Sequence, residues 1–386
     1  MSPVERLGGA ASTEGSARAA ARLGPHAAAP LGATDLSVSR LGFGGYRVDD
    51  AHPMFAQALR QALAGGCNLI DTSTNYTDGG SERLVGAVLS EEVGAGRLRR
   101  DEVVVVSKVG YVQGQNLALA EGRRRGGDPF PEMVEYMDGC WHCVHPQWLD
   151  DQLERSLERL RLQALDVCLL HNPEYFFSDA VHRGLRQEQL PEVRDEFYRR
   201  LEAAFGYFET QVKAGRIKWY GVSSNSVTAS VDDPESTSLT RMWAAAERAG
   251  GAAHHFRVLQ LPMNLVESGA VFEANNEGQT VLEKARALGV GVLVNRPLNA
   301  IVGNQLLRLA GASGAQATRL FDEVLPAERR GATPSQKALH VVTSAPGVSC
   351  VLLGMRRPPY VEDALEVLKW PPLPEDRVRA ALSAIR

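Results

Sequence analysis

The chain predicts an α/β fold of the (β/α)8 TIM-barrel type, and three observations carry that reading. Apolar runs of strand length alternate with helical patterns along the sequence. The runs are continuous rather than alternating, so both faces of each strand are buried, as in a parallel sheet. Eight such units follow in succession, which favours a closed barrel over a doubly wound open sheet, the runner-up architecture.

Taken in order, Leu36–Ser39 and Leu41–Gly45 read as a short strand pair, the second ending in glycines that lack Gly-x-Gly-x-x-Gly spacing. Helical patterning over Pro53–Ala64 precedes the strand Asn68–Ile70. A Gly-Gly-Ser-Glu turn then opens a helix, with Ser81 expected as N-cap and Glu82 facing the helix dipole. Val103–Val106 is the third strand. Four further helix-then-strand steps read as Trp148–Leu160 with Leu165–Leu170, Arg194–Lys213 with Ile217–Val222, Leu239–Ala249 with Val258–Leu261, and Gln279–Leu288 with Val290–Val294. Pro334–Thr343, Cys350–Leu353 and a last helix, Tyr360–Leu368, complete the series.

Two connections, Val109–Gln147 and Ala300–Gly331, are far longer than usual, and Asn172–Glu192 is moderately long. All three leave the C-terminal ends of strands, the face on which barrels carry active sites. The Gly/Ala-rich stretch 310–317 has the composition of a disordered segment.

Composition narrows the function class. With 42 Lys+Arg against 46 Asp+Glu, a net charge of -4 gives no bulk attraction to nucleic acid or anionic membrane. The basic run Arg123–Arg125 lacks interleaved aromatics and reads as a solvated loop. Five cysteines, odd in number and partly in apolar runs, argue against a disulfide framework and for a reducing, cytoplasmic setting. No apolar run reaches membrane-span length. Residues 1–30, rich in Ala, Gly and Arg without an apolar h-region, read as a poorly ordered extension, with a transit peptide as second option, ahead of a single barrel domain over 31–386.

Strand ends supply the chemistry. Asp71 and Tyr76 follow the second strand, Lys108 the third and His171 the fourth. Singly, each has an ordinary reading as a cap, a solvated charge or a loop hydrogen-bonder. Adjacent barrel strands bring acid, phenol, ammonium and imidazole to one place. A nearby ammonium lowers a phenol's pKa, so Lys108, held by Asp71, is expected to tune Tyr76 as a proton donor to a carbonyl oxygen that His171 orients.

Beside that reading, the sequence resembles the aldo-keto reductases. The resemblance runs from about Leu31 to Lys369. It rests on GCNLIDTSTNYTDGGSERLVGAVL from Gly66, SKVG around Lys108, SLERLRLQALDVCLLHNP past His171, GVSSNS from Gly221, LQLPMN around Gln260 and LLGMRRPPYVEDAL near the C-terminus. It implies NADP(H) as cofactor, a small-molecule carbonyl or sugar substrate, and Asp71, Tyr76, Lys108 and His171 as a catalytic tetrad. It also implies that Ser223, Ser224 or Asn225, together with Gln260, binds the nicotinamide carboxamide. Gly354, Met355 and Arg356 would meet the adenosine phosphate, alongside Arg357, with Asp363 near the adenine. Gly45, Asn295, Arg296 and Leu298 complete the expected cofactor set, and Tyr46, Tyr111 and Trp141 the substrate side. The sequence departs from the family pattern at Ala364, where many members carry Asn, at Asn295–Arg296, and in the long loop after Lys108.

That loop contains CWHCVH, with Cys140, His142, Cys143 and His145 at spacings reminiscent of zinc sites. Cys-x-x-Cys has no partner pair elsewhere, so no metal is expected. Trp141 with Tyr111 and Tyr136 is expected to form an aromatic wall over the substrate. A nucleotide-binding sensor or scaffold subunit is the alternative from another function class.

Overall fold

Each apolar run becomes a parallel strand because its neighbours on both sides are also apolar and both its faces find partners. The computed structural model describes residues 5–302, 305–309, 322 and 325–384. The strands β1 (Leu41–Gly44), β2 (Leu69–Asp71), β3 (Val104–Val109), β4 (Leu165–His171), β5 (Ile217–Ser223), β6 (Phe256–Pro262), β7 (Gly291–Asn295) and β8 (Val348–Leu353) close a barrel in sequential order. Along β2 to β4, side chains alternate between two cores. Leu69, Val104, Val106, Val167 and Leu169 fill the barrel interior, whereas Ile70, Val105, Cys168 and Leu170 belong to the larger core that also includes helix residues.

Helices follow the strands: α1 (Pro53–Ala64), α2 (Gly80–Gly94), α3 (Pro146–Leu160), α4 (Leu190–Lys213), α5 (Leu239–Gly250), α6 (Val281–Leu288), α7 (Pro334–Thr343) and α8 (Pro358–Leu365). Thr280 and Thr333 form capping boxes with Glu283 and Gln336, which fixes where α6 and α7 begin.

The start of α2 differs from the expectation. Gly79, at φ 80°, is the N-cap, and Ser81 lies inside the first turn, sharing a 2.7 Å hydrogen bond with Thr72. Glu82 does sit in the first turn, and there it is fully buried. It accepts from Ser107 Oγ and Ser156 Oγ and pairs with Arg159 at 2.6 Å, joining α2, β3 and α3.

Residues 5–30 also depart from the expected poorly ordered extension. A helix spans Thr13–Ala20, and Ala28–Pro30 pairs antiparallel with Ser37–Ser39. Ala11, fully buried, joins the barrel-interior core and donates its N–H to the buried Asp166 carboxylate at 2.5 Å. The Ala/Gly-rich composition hid this, because small residues pack closely without giving an apolar periodicity.

The long connections build the opposite end. After β3 come Tyr111–Val112, a helix over Gln115–Arg125, and the strands Val134–Met137 and Cys140–His142, the three strands forming an antiparallel sheet. A helix over Tyr175–His182 follows β4, and a hairpin of Asn299–Val302 with Gln305–Arg308 follows β7. The Gly/Ala-rich stretch 310–317 lies outside the described residues.

Candidate active site

Parallel register sets the ends of β2, β3 and β4 side by side, with Asp71 opposite Val106 and Lys108 opposite Leu169. Lys108, with no exposed surface, donates from Nζ to Asp71 Oδ2 at 2.8 Å, to the Thr72 carbonyl at 2.9 Å and to Tyr76 OH at 2.9 Å. The other Asp71 oxygen accepts from Gln260 Nε2 at 2.8 Å. The His171 ring lies 5.7 Å from the Tyr76 ring, edge to face. The four residues expected from the strand ends therefore converge.

Their electrostatics follow from burial. Desolvation raises the Asp71 carboxyl and lowers the Lys108 ammonium, and their mutual attraction opposes both shifts. Burial, and then the Asp71 charge, push the Tyr76 phenol well above its ordinary value. This corrects the expected downward tuning. Lys108 is paired with Asp71, whose own charge disfavours the phenolate, so desolvation prevails. Burial, followed by the Lys108 charge, holds His171 well below the usual imidazole range.

The aromatic wall also differs. Tyr111 packs on His171 with ring centroids 4.6 Å apart and accepts from Asn172 Nδ2 at 3.0 Å. Tyr111 is paired with His142 across the small sheet, and Val112 with Trp141. Neighbours along a strand face opposite ways, so Trp141 lies off the wall, against Arg124. His142 and Tyr175 take its place around Tyr111, with Tyr136 behind Tyr175. Tyr46 stands exposed at the mouth, 5.3 Å from the Tyr76 ring.

Of the other expected residues, Ser223 donates to Gln260 Oε1 at 3.0 Å, and the half-buried Asn295 lies beside them with its buried Oδ1 lacking a partner. Ser224 instead bonds Thr237, and Asn225 is exposed with its N–H given to Glu174. Arg296, at φ 54°, is committed to Glu267 at 2.7 Å, and Leu298 packs against the core. A Cβ on Gly45 would meet Ser81 Oγ at 2.5 Å, whereas one on Gly354 meets nothing within 4 Å. The Met355 side chain is buried in the core, and Asp363 accepts from Thr333. Arg356 and Arg357 form no ion pair with any described residue.

Ser73, His142, Glu174 and Tyr175 were not anticipated at the site. In the CWHCVH run, His142 Nε2 donates to the His171 carbonyl at 2.7 Å, Cys143 Sγ to the Pro131 carbonyl at 3.4 Å, and His145 caps α3. Among the described residues no group of three or more His, Cys, Asp or Glu is placed to hold a metal ion.

The profile of the Aldo/keto reductase family matches residues 40–385. The chain belongs to that family. Aldo/keto reductases generally carry out NAD(P)H-dependent carbonyl reduction. This aldo/keto reductase is 28% identical over 150 residues to an NADH-specific methylglyoxal reductase from Escherichia coli (strain K12), a match covering 37% of this chain and 40% of that enzyme. It is 24% identical over 364 residues to a putative voltage-gated potassium channel subunit beta from Schizosaccharomyces pombe, covering 88% and 87% of the two chains. Among solved structures, an aldo-keto reductase from Bacillus halodurans in its holo form superposes with a TM-score of 0.61 at 18% identity, over 94% of this chain and 97% of that one. Another from Klebsiella pneumoniae, in complex with NADP and acetate, gives 0.55 at 20% identity, over 91% and 92%.

Proposed function

We propose that this aldo/keto reductase is an NADP(H)-dependent oxidoreductase acting on an aldehyde, ketone or sugar, with Tyr76 as the general acid and base. The observation that carries the reading is the continuous Asp71–Lys108–Tyr76 hydrogen-bond chain beside His171 at the C-terminal ends of adjacent strands.

The residues present fit a nicotinamide cofactor. The orphaned Asn295 Oδ1 is an acceptor suited to a carboxamide N–H, and the unpaired guanidinium groups of Arg356 and Arg357 suit a phosphate. When bound, the cofactor supplies or receives hydride at the substrate carbon. Tyr76, kept protonated at neutral pH by its burial, gives its proton to the carbonyl oxygen. Lys108 stabilises the phenolate left behind through its 2.9 Å hydrogen bond, and Asp71 holds that ammonium in place. His171 fixes the reacting oxygen, while Tyr111 and Tyr46 border it.

Tyr76→Phe should lower turnover at least about 100-fold, the low end of what general acid catalysis contributes, while fluorescence titration finds NADPH affinity nearly unchanged. Activity surviving in that variant would sink the mechanism. Arg356→Ala should weaken NADPH more than NADH in the same titration; equal weakening would remove the assignment of a 2′-phosphate to Arg356. The similarity to a putative channel subunit supports a second reading, a nucleotide-binding sensor with little turnover. Tight NADPH binding without turnover on a broad carbonyl and sugar panel would favour it.

A further inference from the structure

We propose that Ser73, Asn75 and Gln113 form a hydrogen-bond relay behind His171 that sets which ring nitrogen carries the proton, and that the relay ends on the Cys140 thiol. The proposal deepens the function above, because it rests on His171 facing the reacting oxygen.

A neutral imidazole has one N–H, so a partner at one nitrogen decides what the other presents. His171 is 7% exposed, and its depressed pKa keeps it neutral at physiological pH. Its Nδ1 lies 3.0 Å from Ser73 Oγ, and Nε2 bonds no described residue. Nε2 is therefore the nitrogen left for a ligand.

Ser73 has one hydroxyl hydrogen, and two acceptors lie within its reach: Asn75 Oδ1 at 2.8 Å and the Lys108 carbonyl at 3.3 Å. The Asn75 amide then donates from Nδ2 to Gln113 Oε1 at 3.0 Å, and Gln113 Nε2 donates to Cys140 Sγ at 3.1 Å. Every donor in this order points outward from the site. Ser73 has spent its hydrogen, so it accepts from His171, and Nδ1 carries the proton. Nε2 then offers a lone pair, which receives the O–H of an alcohol.

The opposite sense uses the same heavy-atom positions. With both amides turned over, Cys140 S–H donates to Gln113, Gln113 to Asn75, Asn75 to Ser73, and Ser73 to His171 Nδ1. The ring then presents Nε2–H, the form that binds a carbonyl oxygen. In that sense the Ser73–Asn75 bond only changes direction, but Ser73 has no hydrogen left for the Lys108 carbonyl, so the outward sense is the resting one. Burial raises the Cys140 thiol, so it keeps the hydrogen that the reversal needs. Gln113 and Cys140 come from the long loop after β3 and Ser73 and Asn75 from the loop after β2, so the extended loop buttresses the reacting centre from behind.

The test is 15N NMR of the imidazole nitrogens in the full-length, cofactor-free protein labelled at histidine, with His171 assigned by loss of its signals in His171→Asn. The expected native signal is Nδ1–H with an unprotonated Nε2. Ser73→Ala should move it toward Nε2–H and lower kcat about tenfold, the equivalent of one misdirected hydrogen bond. Ser73→Thr, which keeps the hydroxyl, should restore both. A native signal already at Nε2–H, or one unmoved by Ser73→Ala, overturns the relay. Should Ser73→Ala fail to fold, Gln113→Leu decides the matter: freeing the Asn75 amide should shift the signal in the same direction, and an unmoved signal overturns it. This readout needs no turnover, so it stands or falls separately from Tyr76→Phe.

Discussion

At the scale of single residues, the site is governed by one buried ion pair. Lys108 and Asp71 are 0% and 4% exposed and 2.8 Å apart, so each is tolerable there only because the other is present. Lys108→Met should therefore destabilise the fold by about 3–5 kcal/mol, as it strands a buried carboxylate. Adding Asp71→Asn should return most of that stability in urea unfolding without returning turnover. A double variant no more stable than Lys108→Met would show that the pair is not what stabilises this end of the barrel. Asp71, Lys108 and His171 were legible in the sequence because each sits at the end of an apolar run and barrel geometry places consecutive ends together. The direction of the Tyr76 shift was not legible. It depends on how far Asp71 cancels Lys108 and on how much solvent the loops exclude, and neither is a property of residue type. Ser73 and His142 escaped for a related reason, since a serine or histidine in a loop has many ordinary uses until its partner is known.

At the scale of elements, the connections at the C-terminal face are tied to one another. Glu174, just before the helix Tyr175–His182, reaches across to the turn after β5 and accepts from the Asn225 N–H. Its other oxygen is buried without a partner, and burial raises this carboxyl to about 7. A carboxyl whose pKa is higher folded than unfolded binds protons more readily when folded. Its stabilising contribution is fully present below the ordinary carboxylate value near 4.5 and is lost as pH rises through about 7. The loss is on the order of 3 kcal/mol. Glu174→Gln keeps an acceptor for Asn225 but cannot ionise, so the decline in Tm between pH 5 and pH 8 should be shallower than in the native protein. Equal slopes would mean that Glu174 ionises freely. The strands and most helices were legible from apolar runs and caps. The small sheet after β3 was not, because its strands run two to four residues and pair only with one another. Reading CWHCVH without that pairing placed Trp141 on the wrong face.

At the scale of the whole molecule, the barrel has a chemical end and a structural end, and they should fail separately. The N-terminal segment works at the structural end. Ala11 enters the barrel-interior core, and its N–H meets the buried Asp166 carboxylate, which Arg100 and the Val105 N–H also hold. Arg18 and Arg22 add ion pairs to Asp101 and Glu102, and Lys218 caps the Ala11 carbonyl at 2.7 Å. The Arg18 and Arg22 guanidinium groups are more than a third exposed, so those pairs are worth little in screened solvent. The charge-assisted bond to Asp166 and the packing of Ala11 carry more, giving roughly 2–4 kcal/mol for the segment. Deleting residues 1–22 should lower Tm and urea stability by that amount. Asp166 keeps Arg100, so the loss stops short of unfolding the barrel. None of the described residues in the deleted segment hydrogen-bonds to the Asp71–Lys108–Tyr76 chain, so kcat at low temperature should change less than twofold. A truncated protein with native stability would reduce the segment to a passenger on the barrel. A stable one with lost turnover would mean that the two ends are coupled through the interior layer Leu69, Val104, Val106, Val167 and Leu169, which shares one packed core with Ala11.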